Sequence, residues 1–169
     1  MNRSDQTQEG QNNIQAGRDV NVYNYNDNIS FDLQETEQLI MDIYEISQKM
    51  EVAQVEFTYA RMEKIEDKNK LNNMEEYFQS KIEKDIVYFD EIKQVLQLNE
   101  DDFRDRFEYI IGTIKGAILA IDDSEKLTPS KINLIFSKFY KTDWDWQKKQ
   151  KAERLIHFMY FYCFLGKKL

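Results

Sequence analysis

Cysteine and histidine occur once each in the chain, as Cys163 and His157. That excludes a disulfide framework, a zinc cage and any multi-histidine metal centre. Proline also occurs once, at Pro129, and from Phe31 to Ile111 there is neither proline nor glycine. The few scattered glycines supply no phosphate-cradling loop. The longest apolar run, LIHFMYFYCFLG, is about half of the roughly 20 residues that span a bilayer. The opening MNRSDQTQEGQNN has no apolar core of a signal peptide, so a cytoplasmic protein is expected. An excess of positive charge is missing too: Lys+Arg number 23 against 31 Asp+Glu, a net charge of -8. Such a balance opposes unspecific binding to nucleic acid or anionic lipid over the whole surface.

What remains is charge, aromatics and period. The chain has 169 residues, of which 32% are charged and 14% aromatic, enough for one compact domain plus an appendage. Composition changes sharply near residue 30. Residues 1–30 hold seven asparagines, Gly10, Gly17 and the β-forming VNVYNY. Residues 31–169 read as helix. Ser30 or Asp32 is placed to cap the first helix, with Glu35 in its first turn. Leu39, Ile43, Ile46, Met50, Ala53, Phe57 and Ala60 then follow alternating steps of four and three. This seam fits a long helix, either as the core stripe of a bundle or in an intermolecular coiled coil. It fades in EKIEDKNKLNN, which reads as a turn.

A second helix is expected over about 73–98, with Met74, Phe78, Ile82, Phe89, Ile92 and Leu96 on one face, and Ile86 and Val95 beside them. Asn99 and the acids after it start a third, whose stripe is Phe103, Phe107, Ile110, Ile114, Ile118 and Ile121. Thr128-Pro129 opens a short fourth helix. The fifth begins at an Asp cap in TDWDW and runs to Gly166, basic in its first half and apolar nearly all round in its second. A helix of that kind belongs in the middle of a bundle. The expected fold is therefore mainly α: an antiparallel helical bundle of about five helices, preceded by a short β-forming or disordered N-terminal segment.

Residues that carry chemistry are few. His157 lies on the helix expected to be most buried, and Cys163, six residues on, falls on a different face; both read as core residues. The acids at 100–102 and 122–123 lack the alternating ligands and glycine of a calcium loop. GTIKG places Gly112 and Gly116 one turn apart within a helical pattern, where small residues let another element approach closely. Lys148, Lys149, Lys151 and Arg154, preceded by Trp144 and Trp146, are the best candidates for holding phosphates and stacking a base. The same cluster could instead complement an acidic surface of another subunit. The apolar C-terminal stretch leaves a membrane-active, toxin-like effector as a lesser alternative. No catalytic constellation, metal set or cofactor motif is present, and no enzyme is expected.

The N-terminal NNIQAGRDVNVYNYN alternates like a strand, with Val20 and Val22 on one face and Tyr23 and Tyr25 on the other. No other part of the chain reads as strand, so its backbone partners must come from other copies or another protein, or the segment stays disordered. Asparagine-rich rungs suit stacked or intertwined β structure. Ile14, Gly17, Arg18, Asp19, Val20, Val22, Tyr23 and Tyr25 are the candidate oligomerisation residues. The core Ala16, Gly17, Arg18, Asp19, Val20 and Asn21 resembles the Gly-Arg-Asp-Val-Asn-type segments that precede helical or effector domains in bacterial anti-phage conflict proteins. That resemblance covers residues 11–26. It implies a small accessory, sensor or adaptor protein that assembles through its N-terminus beside an effector or ATPase partner. A nucleic-acid-binding regulator using the 144–154 patch is the alternative.

Overall fold

Charge and apolar residues recurring at helical spacing after residue 30 fold into helix. The computed structural model describes residues 33–55, 64–98 and 102–167. Its helices are α1 (Leu33–Gln48), α2 (Ile65–Asn72), α3 (75–98), α4 (Asp102–Asp122), α5 (Pro129–Phe139) and α6 (Trp146–Phe161), and the described residues contain no strand. The oligomerisation candidates at 14–25, the caps expected at Ser30 or Asp32 and at Asn99, and the seam residues Phe57 and Ala60 lie outside the described residues.

The centre of the molecule is the second half of α6. Residues 154 to 160 are buried without a break, polar Arg154 and His157 among them. The burial of Leu155, Ile156, Phe158 and Met159 contributes about 1.5–3 kcal/mol of transfer free energy for each side chain. Around α6 pack Leu39, Ile40 and Ile43 of α1, Phe89, Ile92 and Val95 of α3, Ile110, Ile111 and Ile114 of α4, and Ile132, Ile135 and Phe139 of α5. Ile121, expected on the α4 stripe, sits at the helix end and is exposed.

Local signals explain several of the boundaries. Thr128 caps α5 by accepting from the Lys131 amide at 3.4 Å, with Pro129 in the first turn. Asp145 caps α6 by accepting from the Lys148 amide at 2.8 Å. α6 does not reach Gly166. It ends at Phe161, where Cys163 turns left-handed at φ 62° and the Phe164 amide returns to the Met159 carbonyl at 2.8 Å.

The described residues depart from the expected helices in three places. EKIEDKNKLNN is not a plain turn, because residues 65–72 form α2. Its buried face is polar (Lys68, Asn69 and Asn72), so counting apolar residues misses it. Asn73 closes it in left-handed geometry at φ 56°. Asn72 then ties three segments together: its Oδ1 accepts from the amides of Leu127 and Lys167, and its Nδ2 donates to the carbonyls of Lys68 and Lys167.

α1 is shorter than its seam. It ends at Gln48, so Met50 and Ala53 are not helical. The chain instead turns and passes, without regular structure, over α4 at Gly112 and Gly116. α3, finally, winds as a π turn over Phe78–Ile82 and as 3-10 turns over Glu83–Tyr88 before resuming α geometry at Phe89. That change of winding keeps Phe78, Ile82, Phe89 and Ile92 inward, and the residue facing the core between them is Asp85.

Candidate functional site

The stripe of α3 and the central α6 meet at a buried polar cluster. Asp85 accepts from the Arg154 Nε at 3.2 Å through one carboxylate oxygen, and its other oxygen lies 2.6 Å from the His157 Nδ1. The His157 Nε2 is 3.1 Å from the Tyr77 hydroxyl. Arg154 stacks its guanidinium 3.9 Å from the centroid of the Tyr88 ring. Phe136 meets the His157 ring edge-on at 5.7 Å. Beside the cluster, the Tyr140 hydroxyl donates to Glu153 at 2.6 Å. Burial raises the Tyr77 phenol well above its ordinary value, and the nearby Glu153 and Asp85 charges add to this. Tyr140 is raised for the same reasons, by burial first and then by its bond to Glu153.

Asp85, His157 and Tyr77 thus form a carboxylate–imidazole–hydroxyl chain with the order of a proton relay. Its terminal hydroxyl is held protonated, the opposite of an activated nucleophile. The chain orients His157 and gives Arg154 a counter-charge inside the core. Arg154 is only singly bonded to Asp85, and its Nη1 is buried with no hydrogen-bond partner. The sequence singles out His157, as a core residue, and Arg154, as part of a basic patch rather than of this cluster. Asp85 had a readable signal, as the acid on the core face between Ile82 and Phe89. Tyr77 had none.

The structure disperses the expected basic patch. Arg154 belongs to the buried cluster. Lys148 pairs with Asp42 of α1, and its ammonium lies 5.0 Å from the Trp144 ring centroid. Lys151 pairs with Glu35 of α1. Asp42 also takes Lys141 at 3.2 Å, and Lys141 reaches Glu45 at 3.6 Å. Burial pushes the Asp42 carboxyl up, but the hydrogen bonds from Lys148 and Lys141 outweigh it, and the net position is below the ordinary carboxylate value. Trp144 is buried against Tyr140. Only Trp146, 63% exposed, and half-buried Lys149 keep outward-facing positions without an ion pair or ring contact among the described residues.

The apolar C-terminal stretch also finds its place. Among the described residues, no helix is long and apolar enough to cross a membrane. LIHFMYFYCFL packs instead into the core and the turns that close α6.

The fold and the cluster together define a small α-helical domain whose strongest polar groups are spent on holding its own helices together. The chain belongs to the family of C-terminal domain 12 of the ABC-three component (ABC-3C) systems, whose model matches residues 25–166. These are anti-phage conflict systems. Comparison with curated proteins and with solved structures finds no match.

Proposed function

We propose that the chain is a non-enzymatic accessory protein, a sensor or adaptor, of its ABC-three component system. In this reading it self-assembles through residues 14–25 and presents its helical domain to an effector or ATPase component. The observation that carries the reading is the family match, which spans nearly the whole helical region. Internal pairing of Lys148, Lys151 and Arg154 supports a protein-binding role over a nucleic-acid one, because phosphates would have to displace Asp42, Glu35 and Asp85. The burial of Asp85, Arg154 and His157 away from solvent supports a structural role for the cluster.

Light scattering on the full chain and on a chain starting at Ser30, with circular dichroism as a folding check, tests the assembly. A defined oligomer that falls to monomer on truncation, with helicity kept, is expected. An oligomer that survives truncation would move the interface to the helices. A full chain that is already monomeric would end the self-assembly reading.

A further inference from the structure

The segment that leaves α1 turns at Lys49–Val52, with the Met50 amide on the Ser47 carbonyl at 3.2 Å and the Val52 amide on the Met50 carbonyl at 3.0 Å, and it is held out of the helix by residues far from it in sequence. The Ala53 carbonyl occupies the space a Cβ on Gly116 would need, and a Cβ on Gly112 would lie 2.6 Å from the Gln54 Oε1 and 2.8 Å from the Val55 carbonyl oxygen. Ala53 meets Gly116 while Val55 meets Gly112, so the strap runs opposite to α4. Two hydrogen bonds fasten it: the Gln54 Nε2 donates to the Thr113 hydroxyl at 2.5 Å, and the Val55 amide to the Gly112 carbonyl at 3.4 Å. Glu51, Ala53 and Gln54 are nevertheless exposed, and Val52 and Val55 only half-buried.

Nothing in the local sequence KMEVAQV ends a helix. It contains no glycine, proline, asparagine, aspartate or serine. Lys, Met, Glu, Ala and Gln are strong helix formers, and only the two valines lean toward extended backbone. The last turn of α1 has no basic residue. Its end also lacks the left-handed closing residue that α2 has in Asn73 and α6 in Cys163. Met50 and Ala53 continue the four-and-three step of Leu39, Ile43 and Ile46. Local preference and tertiary position therefore disagree, and such disagreements are expected at functional or strained sites.

We propose that residues 49–55 are a two-state strap, non-helical while seated on the Gly112–Gly116 channel of α4 and helical, as a continuation of α1, when lifted from it. Lifting lengthens α1 by about two turns and bares a backbone-wide channel carrying the Gly112 carbonyl and the Thr113 hydroxyl. One segment then governs two surfaces at once. The switch is a property of the helical domain and holds whether or not residues 14–25 assemble the chain.

Backbone Cα chemical shifts at Met50–Val55 in the full chain test this. Wild type is expected to show non-helical values. Gly116→Ala, whose added carbon takes the place of the Ala53 carbonyl, is expected to move them to helical values while the Ile110 and Ile114 methyl signals stay in place. Gln54→Ala removes one fastening at an exposed position and is expected to give a partial shift in the same direction. Ala53→Pro added to Gly116→Ala is expected to abolish the helical values. Should Gly116→Ala fail to fold, Gln54→Ala decides. Non-helical shifts at Met50–Val55 in every folded variant would overturn the proposal.

Discussion

Arg154 shows how one acid can decide whether a charged residue belongs in a core. Its guanidinium is buried, stacked on Tyr88 and singly bonded to Asp85, with one nitrogen unsatisfied. Removing the Asp85 charge leaves a cation without its partner, which costs about 3–5 kcal/mol in a buried pair. Asp85→Asn keeps the shape of the side chain and is expected to lower the urea midpoint by an amount corresponding to that range. Tyr77→Phe, which removes only a hydrogen bond to His157, is expected to cost about 1 kcal/mol. If the two variants prove equally mild, Arg154 has swung out to water and the cluster does not hold the core. Little of this cluster was legible in the sequence. His157 is separated from Asp85 by 72 positions and from Tyr77 by 80, so its partners follow from helix packing rather than from any motif.

Between elements, the seam of α1 against α6 and the turn after α5 is ionic, and its pH response follows from Asp42. Asp42 accepts from Lys141 and Lys148 as well as from the Gln38 side chain. Its folded-state value is depressed, so its contribution is present above the ordinary aspartate value near ~3.9 and is lost as pH falls through the folded-state value. Asp42→Asn is expected to cost about 1–2 kcal/mol at neutral pH, since both lysines retain access to water. That difference from wild type should shrink in unfolding curves taken below pH about 4. A difference that is flat down to pH about 2 would mean the pairs contribute nothing to folding.

The legible element boundaries were those set within a few residues. Thr128 and Asp145 cap their own helices, and the apolar second half of α6 announces its central position. The end of α1 is decided by Gly112 and Gly116 more than fifty residues later, and α2 hides its buried face in lysine and asparagine. The winding change in α3 has no glycine or proline to mark it. For α1 and α2 the contacts are tertiary, and periodicity cannot report them.

On the scale of the whole molecule, the question is what a chain of net charge -8 does with a cluster of cations. A nucleic-acid surface needs lysines whose counterions can be released to solvent. Lys148 and Lys151 already neutralise Asp42 and Glu35, which leaves Lys149 beside exposed Trp146 as the outward remnant. The three lysines should therefore respond differently to the same substitution. Lys148→Glu places like charge against Asp42 and is expected to destabilise the fold, whereas Lys149→Glu is expected to leave thermal unfolding within a few degrees of wild type. In fluorescence anisotropy with labelled single- and double-stranded DNA and with RNA, wild type and Lys149→Glu are both expected to show no salt-sensitive binding. Micromolar affinity that weakens steeply with salt and falls in Lys149→Glu would instead make the Trp146–Lys149 corner a nucleic-acid contact, and the accessory role would then operate through nucleic acid rather than through a protein component.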